Sequence, residues 1–549
     1  MTQFALNTPV DFLVVGVGAA GGVMAKELST AGFSVVALEQ GRYRKASDFR
    51  HDEYAHYFLS ELVNDHRGQP NTFRRTPQEK ANRQPCIGYG RCVGGGSVHF
   101  TGNYWRFHEV DFVERSRWGP MSGTGLDDWP ITYADLEPYY TKAEWDLGIS
   151  GEAGASPFDP PRSRPYPLPP LRVDSAGVLF ERAARRLGWH PFPAPMAIAS
   201  RSYQGRSGCV YCSFCKMFGC EVGAKSSSLA ALIPLAERTG RCEIRAQCVV
   251  RTISVDRRGR VDGVVYFDAR RREHLQKARA VVLCANGAET PRLLLMSRSS
   301  RFPNGLANSS GLVGKYLMFD TGSFCGALFE HPVNGYIGPE VTRLVHDFYD
   351  SDSGRGFYGG GSLDGRFDFQ PITFALWGGL PPGSPRWGAD YKRMLAEYFN
   401  RTMYVLSHTT ALPLEQNSVS LDPDVKDALG LPALRVTYKN HPDDLKCMQF
   451  LQDRGMELLA AAGAQRTWGY PVEDISFSVH LMGTCRMGND PARSVVNRFH
   501  RAHDVPNLFI VDGSSFVTSG RQQPTATIQA LAYRAADAIV GAAKKGELG

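Results

Sequence analysis

No apolar run in this 549-residue sequence approaches the ~20 residues that a membrane-spanning helix needs. The N-terminus, MTQFALNTPVDFLVVGVG, lacks the basic segment, apolar core and small-residue cleavage site of a signal peptide, so we expect none. Blocks of like charge are also missing: 62 lysines and arginines are scattered among 55 acids, for a net charge of +7. These absences argue against a transmembrane protein and against dedicated nucleic-acid binding.

The composition is typical of a soluble globular protein, with 43% apolar and 21% charged residues. At this length the chain is too long for one simple core, which predicts two large lobes. Eight of the twelve cysteines are dispersed along the chain. This pattern favours reduced core cysteines over a disulfide framework.

The first motif of the chain has the pattern of a dinucleotide-binding unit. Residues 11–15, DFLVV, predict a buried parallel strand, and GVGAAG follows at once. Gly16, Gly18 and Gly21 are spaced so that the backbone can approach a pyrophosphate and a helix can pack on the strand. A second apolar run ends at Glu39, about twenty residues further on, where a carboxylate can accept the ribose hydroxyls. Since that carboxylate would repel a 2′-phosphate, the predicted ligand is not of the NADP type.

Later segments return to the same fold. Residues 249–267 predict two alternating strands. The stretch ARAVVLCANGAETPRLLLMS predicts a buried strand, a glycine turn and a helix that opens at Thr290-Pro291. Residues 507–513 predict a strand that ends in Asp512. A chain that returns three times to its dinucleotide fold is unlike a simple nicotinamide dehydrogenase.

One segment, 207–228, concentrates a third of the cysteines within twelve positions. The spacing is C-x2-C-x2-C-x4-C, formed by Cys209, Cys212, Cys215 and Cys220. Structural zinc sites usually pair two short knuckles across a longer loop, whereas compact runs of this kind ligate iron–sulfur clusters. The last spacing differs by one residue from the ferredoxin pattern. We expect an iron–sulfur cluster, [3Fe–4S] in preference to [4Fe–4S], with zinc and free or disulfide-linked thiols as alternatives.

Several motifs occur together and in order: the Gly16–Glu39 unit, VGGGSVH at 93–99, AETPRLL at 288–294 and, near the C-terminus, HLMGTCRMG and NLFIVDGSSF. On these motifs the sequence, from about residue 10 to residue 540, resembles the glucose–methanol–choline (GMC) oxidoreductase family. The resemblance implies a mixed α/β fold. One lobe would be Rossmann-like and bind FAD on a parallel sheet, and the other would bind substrate on an antiparallel sheet covered by helices.

The resemblance also implies that both lobes are assembled from discontinuous segments. We place the FAD-binding lobe at 1–110, 225–320 and 470–549, and the substrate lobe at 111–224 and 321–469. The cysteine segment 207–228 then lies at the border between them. Residues 351–390, rich in glycine and proline, predict loops that line or cover the mouth of the active site.

The C-terminal motifs imply two catalytic positions. His480, in VHLMGTCRMG, stands where the family keeps its catalytic histidine, and histidine titrates close to neutrality, which suits proton transfer. The family's second residue, His or Asn, falls at Gln523, which is a departure. Glutamine cannot act as a base, but its amide can donate and accept hydrogen bonds. We therefore expect His480 to be the acid–base group and Gln523 to position the substrate hydroxyl, while a shift of one residue would put Gln522 there.

The stretch VGGGSVHF is predicted to lie against the flavin. Gly94 and Gly95 would let the backbone approach it, and Ser97 would bond its phosphate or ring edge. His99 matches the position at which some family members attach FAD covalently, whereas others carry an unbonded histidine there. The alternative for His99 is a packing residue beside the dimethylbenzene ring. The remaining residues assigned to FAD are Val249 and Asp512.

The cysteine segment, together with DDWPITYADLEPYY at 127–140, resembles the flavoprotein subunits of bacterial glucose, fructose, gluconate and glucoside-3 dehydrogenases. The implied enzyme is an FAD-dependent dehydrogenase that oxidises an alcohol group of a sugar, sugar acid or glycoside by hydride transfer. It would then pass electrons through the iron–sulfur cluster to a cytochrome or quinone. Two alternatives stay open: an oxidase that uses oxygen and has structural cysteines, and a non-redox lyase on the same fold.

The same resemblance implies partners and a location. In those relatives the large subunit is exported with a small signal-bearing subunit, and a multihaem cytochrome c receives the electrons. We expect this chain to be periplasmic and held at the membrane by such partners, with a cytoplasmic protein as the alternative. Its substrate would be a small carbohydrate, and no nucleic acid is expected to bind.

Overall fold

The computed structural model describes residues 4–6 and 8–548. In these ranges it has twelve α-helices. They are α1 (Ala19–Thr30), α2 (Glu53–Tyr57), α3 (Glu114–Trp118), α4 (Tyr133–Leu147), α5 (Ser175–Arg186), α6 (Ser228–Ala231), α7 (Ile233–Arg238), α8 (Asn286–Met296), α9 (Pro371–Leu376), α10 (Gly388–Tyr398), α11 (Pro442–Ala461) and α12 (Thr525–Lys544).

The same ranges contain nineteen strands. They are β1 (Val10–Val15), β2 (Val35–Glu39), β3 (Asn71–Arg74), β4 (Asn82–Arg83), β5 (Phe192–Pro193), β6 (Cys242–Ala246), β7 (Val249–Val255), β8 (Val261–Phe267), β9 (Glu273–Leu283), β10 (Met318–Phe319), β11 (Phe324–Leu328), β12 (Arg343–Val345), β13 (Gly361–Arg366), β14 (Thr402–Thr409), β15 (Ser418–Lys426), β16 (Pro432–Thr437), β17 (Arg466–Gly469), β18 (Leu481–Met482) and β19 (Leu508–Ile510).

The first sheet has the predicted dinucleotide-binding architecture. β1 lies between β2 and β9, parallel to both, and β6 and β19 extend the parallel part. β7 and β8 form an antiparallel extension on β9. β2 is buried throughout, as expected for a parallel strand with a continuous apolar run. The strands predicted at 11–15, before Glu39 and at 249–267 are confirmed.

The second large sheet is antiparallel, in the order β17-β11-β14-β13-β12-β5. Helix α11 packs on β11 and β14, and α5 packs on β13 and α11. Their shared core includes the buried side chains of Phe180, Leu363, Met403 and Leu451. The expected antiparallel sheet covered by helices is confirmed.

Two smaller sheets were not expected. In one, β16 runs parallel to β3, so that residues 71–74 and 432–437 meet although the predicted boundaries assign them to different lobes. In the other, β10 pairs antiparallel with β18, with Phe319 opposite Leu481. The boundaries of the two lobes stay a prediction.

Three local predictions differ from the structure. Helix α8 begins at Asn286, so Pro291 lies inside it; the carbonyl of Gly287, which a proline cannot pair, accepts a hydrogen bond from Thr484 Oγ1 (2.7 Å). β19 ends at Ile510, so Asp512 follows the strand.

The third difference is in residues 351–390, which are not only loops, since they contain the interior strand β13. The glycines there serve packing: a Cβ at Gly365 would lie 2.7 Å from the Phe180 ring. Among the described residues no helix is both long and apolar enough to cross a membrane.

Candidate active site

A cavity of about 1010 Å³ is lined by residues from both large sheets, including Val15 of β1 and His408 of β14. Glu39, at the end of β2, lies in its wall. One carboxylate oxygen of Glu39 accepts the Val17 N–H (3.0 Å) and the other accepts the Gly41 N–H (2.8 Å). Burial raises the pKa of Glu39 to about 7, although these backbone hydrogen bonds lower it. The carboxyl group is thus held rigidly where a ribose would lie.

The predicted glycines form a wall of bare backbone. Gly16 has φ +89°, and a Cβ on Gly21 would lie 1.9 Å from the Gly16 carbonyl oxygen. A Cβ on Gly95 would lie 2.7 Å from the Cα of Gly18, so the two glycine segments lie back to back. Gly16, Gly18 and Gly95 line the cavity. Gly21 packs behind them, as does Gly94, whose φ of +95° makes the turn.

Ser97, His99, Val249 and Asp512 also line the cavity. Ser97 Oγ accepts the N–H of Ser228 (3.1 Å). The His99 ring is buried, and neither of its nitrogens has a hydrogen-bond partner among the described residues. Burial, and then nearby basic side chains, lower the pKa of His99 to about 3, so the ring is neutral.

His480 is positioned by the small β10–β18 sheet. Because Phe319 pairs with Leu481 in antiparallel register, the next residue, Asp320, faces His480. Asp320 Oδ2 is 2.7 Å from His480 Nδ1. Both residues line the cavity, and the His480 side chain is 25% exposed. Since a carboxylate oxygen accepts hydrogen bonds, Nδ1 donates to Asp320, and Nε2 is the ring nitrogen left to face the substrate as an acceptor.

Gln523 lies beside a second histidine. Its Nε2 is 3.0 Å from both ring nitrogens of His408, and His408 Nε2 is 2.8 Å from Asp364 Oδ2. Arg366 holds Asp364 through two hydrogen bonds of 2.6 Å. His408 Nδ1 also lies 4.0 Å from Asp320 Oδ2, the oxygen that binds His480. The two predicted catalytic positions are therefore joined through Asp320 and His408.

Gln522, the alternative at the second position, belongs to a separate buried network. Its amide nitrogen donates to the Arg106 carbonyl and to Tyr349 Oη (3.2 Å). The cavity wall contains Gln523 and Pro524 instead. The geometry favours Gln523.

The cysteine segment runs along the cavity. Lys216 and Met217 line the cavity, and the Met217 N–H donates to the carbonyl of His99 (2.9 Å). Cys212 is exposed, the other three cysteines are half-buried, and the described chain has no disulfide. The pKa of Cys209 is raised to about 11, mainly by burial, and the thiols of Cys215, Cys212 and Cys220 contribute in the same direction. The four thiols are therefore close enough to interact.

The expected metal-ligand geometry is not present in this segment. Across the described ranges no group of three or more His, Cys, Asp or Glu side chains is arranged to hold a metal ion. Tyr211 and Phe214, which precede Cys212 and Cys215, have φ +56°, so the backbone turns before each of these cysteines. The four thiols thus lie in one tightly turning loop, but they do not point at a common position where a metal ion could bind.

Two family models described as GMC oxidoreductase match the chain, one over residues 10–319 and the other over residues 413–532. The chain belongs to the GMC oxidoreductase family. It is similar to 2-methyl-1,2-propanediol dehydrogenase of Mycolicibacterium austroafricanum, with 36% identity covering 98% of this chain and 96% of the relative. It is also 29% identical to the gluconate 2-dehydrogenase flavoprotein of Pantoea cypripedii, over 96% of this chain and 93% of that protein. Identity to the fructose dehydrogenase large subunit of Gluconobacter japonicus is 29%, over 98% of both chains.

Solved structures share the fold of this GMC oxidoreductase. Formate oxidase of Aspergillus oryzae superposes with a TM-score of 0.69 at 16% identity, covering 100% of both chains. Pyridoxine 4-oxidase of Mesorbium loti superposes with a TM-score of 0.62 at 18% identity, covering 96% of this chain and 98% of the other. At such identities the likeness supports the fold alone.

The cavity of this GMC oxidoreductase fits FAD. The bare glycine wall and the Glu39 carboxyl lie where a pyrophosphate and a ribose would bind. Further along, both ring nitrogens of His99 are buried and have no hydrogen-bond partner among the described residues. Buried polar groups are normally hydrogen-bonded, so these atoms indicate a polar ligand. The chain is thus an FAD-dependent oxidoreductase.

Four residues of the site were not predicted from the sequence: Asp320, Asp364, Arg366 and His408. Asp320 is 160 positions from His480, and His408 is 115 positions from Gln523. Each pair meets only through the packing and register of separate strands. β14 carries no local signal for His408, since the strand is buried almost throughout and Leu406, Ser407 and His408 all line the cavity.

Proposed function

We propose that this protein is a dehydrogenase that oxidises an alcohol group of a sugar, sugar acid, polyol or glycoside. The observation that carries the proposal is the His480–Asp320 pair, which lies in the wall of the same cavity as the dinucleotide site. The three relatives described above, which are named as dehydrogenases of a diol, of gluconate and of fructose, support this substrate class.

The chain's own part in the reaction is to move one proton. Nε2 of His480 accepts the proton of the substrate hydroxyl, because Nδ1–H is held by Asp320. The hydrogen on the carbinol carbon leaves with its electron pair, and the C–O bond becomes a carbonyl. FAD, when bound, supplies the acceptor for that hydride. Gln523 holds the substrate in place by hydrogen bonding.

Anaerobic mixing with candidate alcohols tests the proposal. A sugar or polyol should bleach the absorbance of the oxidised flavin, and the product should contain a carbonyl group. Reoxidation by air then separates the alternatives: fast reoxidation with release of hydrogen peroxide would favour an oxidase. A flavin that no alcohol bleaches would contradict the proposal.

For the cysteine segment we propose an iron–sulfur site formed by Cys209, Cys212, Cys215 and Cys220, [3Fe–4S] in preference to [4Fe–4S]. Their spacing and their mutual effect on the pKa of Cys209 support it, although the loop would have to tighten around the metal. Such a site would supply one-electron transfer. Lys216 and Met217 connect the segment to the cavity wall. Iron and acid-labile sulfide in anaerobically purified protein test this proposal.

The proposed partners are a small signal-bearing subunit, which carries the chain to the periplasm, and a cytochrome c that takes the electrons. The likeness to a protein named as a large subunit supports this assembly. Co-expression with the neighbouring genes, followed by cell fractionation and purification, tests it. Recovery of the isolated chain from the cytoplasm, with full activity towards a soluble dye and none towards cytochrome c, would contradict it.

Covalent attachment of FAD through His99 stays a prediction. The neutral, unpartnered ring in the cavity wall is compatible with it. Acid precipitation is the test, because a covalent flavin stays in the protein pellet and a bound one is released. His99→Ala should release the flavin if the bond exists.

A further inference from the structure

At the substrate end of the cavity, two carboxylates, Asp364 and Asp320, determine which side-chain atoms donate hydrogen bonds and which accept them. Asp364 forms a two-point ion pair with Arg366. Burial acts to raise the pKa of Asp364, but Arg366 and His408 together bring it below its ordinary value. Asp364 is therefore an ionised carboxylate, which can only accept hydrogen bonds.

The ionised Asp364 in turn determines the donor and acceptor roles of the two ring nitrogens of His408. Since Asp364 Oδ2 accepts at 2.8 Å, His408 Nε2 donates to it; an amide nitrogen can only donate, so the ring nitrogen that pairs with the amide of Gln523 is the other one, Nδ1, as acceptor. The amide nitrogen of Gln523, 3.0 Å away, is the donor to that nitrogen. Trp105 packs edge-on against the His408 ring (centroids 5.4 Å apart) and fixes its plane.

The amide of Gln523 is thereby oriented. With its nitrogen bound to His408, its carbonyl oxygen Oε1 is buried and has no hydrogen-bond partner in the described part of the chain. Gln523 lines the cavity, so Oε1 is open to a hydrogen-bond partner that enters there. Oε1 can only accept a hydrogen bond, and the ligand must therefore offer a donor.

His480 presents a second acceptor to the same space, because Asp320 holds its Nδ1–H. One oxygen of Asp320 lies 2.7 Å from the His480 ring and 4.0 Å from the His408 ring. The His480–Asp320 pair and the Gln523–His408 pair are therefore adjacent. A single hydroxyl has one proton and cannot serve both acceptors.

We propose that Gln523 Oε1 binds a second hydroxyl, next to the one that is oxidised, so that the substrate is a vicinal diol or polyol rather than a monohydric alcohol. His408 and Asp364 are the positioning residues that hold the amide in this orientation. This inference rests on the proposed alcohol oxidation and adds a requirement for a second donor.

Binding of pinacol and of tert-butanol to the FAD-loaded protein is the test, followed by the change in flavin absorbance. Both are tertiary alcohols without a hydrogen on the carbinol carbon, so neither can be oxidised, and the readout is independent of turnover. We expect pinacol to bind at least about tenfold more tightly, the scale of one buried hydrogen bond with its partner group. Equal binding of the two alcohols would overturn the proposal.

Variants separate this requirement from a general effect on the pocket. In Gln523→Leu and in His408→Leu the preference for pinacol should fall to about twofold or less, whereas His408→Asn, whose side-chain oxygen can accept the amide, should retain part of it. Asp347→Asn is the matched control, since it breaks a histidine–aspartate pair of similar length on the protein surface, between His190 Nδ1 and Asp347 Oδ1 (2.7 Å). A preference that survives both leucine variants would also overturn the proposal. Failure of every oxidisable alcohol to bleach the flavin would instead contradict the proposed function.

Discussion

Asp320 Oδ2 lies 2.7 Å from Nδ1 of His480, directly across the two-residue pairing of β10 and β18. The pairing is short, but the residues of both strands are buried. Their packing holds the Asp320 carboxylate against the His480 imidazole. The relationship defines which nitrogen of His480 is available to the substrate.

Replacement of Asp320 by Asn should slow flavin reduction by at least ~10-fold, because the ring loses the carboxylate that selects its tautomer and stabilises its protonated form. Stopped-flow measurement under nitrogen gives the rate. Asp347→Asn, at the surface pair with His190, should leave the rate unchanged. Equal rates for Asp320→Asn and wild type would show that Asp320 does not act through His480.

Two neighbouring glycines should respond differently to a methyl group. A Cβ on Gly95 would collide with the Gly18 backbone at 2.7 Å, and its φ of +55° disfavours other residues, so Gly95→Ala should lower the melting temperature even without FAD. Gly96 lines the cavity and a Cβ there would meet no atom within 4 Å, so Gly96→Ala should fold normally but bind FAD more weakly. Thermal melts and flavin content of both variants check this. Unchanged FAD affinity in Gly96→Ala would mean that FAD lies elsewhere.

Glu114 should make stability depend on pH. Burial raises the pKa of Glu114 to about 8, against Arg521, which lowers it. Because this lies above the ordinary value, the native state holds the proton more tightly than the unfolded chain. The stabilisation is present at low pH and is lost as the pH rises through about 8. Glu114→Gln cannot lose a proton, so it should flatten the decline in melting temperature between about pH 5 and 8, and an identical decline in both proteins would contradict the assignment.

Changing Cys209, Cys212 and Cys215 to Ser together should remove the iron and acid-labile sulfide of the protein. Substrate should still bleach the flavin in a single turnover, because His480 and the cavity are untouched, whereas transfer to a cytochrome c should collapse. FAD content must be measured first, since ligand bonds add folding free energy. Cys447→Ser, in a buried core position, is the control. A wild-type protein with one zinc and no iron would contradict the cluster.

The sequence allowed the β1–α1–β2 unit to be predicted because its signals are local. An apolar run, three glycines and Glu39 lie within thirty positions, and each has a backbone or packing reason. The predicted residues from Gly16 to Gln523 come together in one region on folding, and ten of them line the cavity.

The groups that orient His480 and Gln523 could not be predicted, for a physical reason. Asp320 and His408 reach the site through strand register and sheet packing, which a one-residue slip would reverse. The start of α8 was predicted wrongly, at Pro291, because a proline inside a helix leaves a carbonyl without its partner. Here Thr484, nearly two hundred positions away, donates a hydrogen bond to that carbonyl, of Gly287.

The proposed role of His480 can be tested by anaerobic reduction of the bound flavin by a polyol, compared in wild type and His480→Ala. We expect rapid bleaching by the wild type and a rate at least ~10²-fold lower in the variant, with FAD content unchanged. His190→Ala, on the surface, should behave as wild type. A His480→Ala protein that retains FAD and is bleached at the wild-type rate would show that His480 is not the acid–base group.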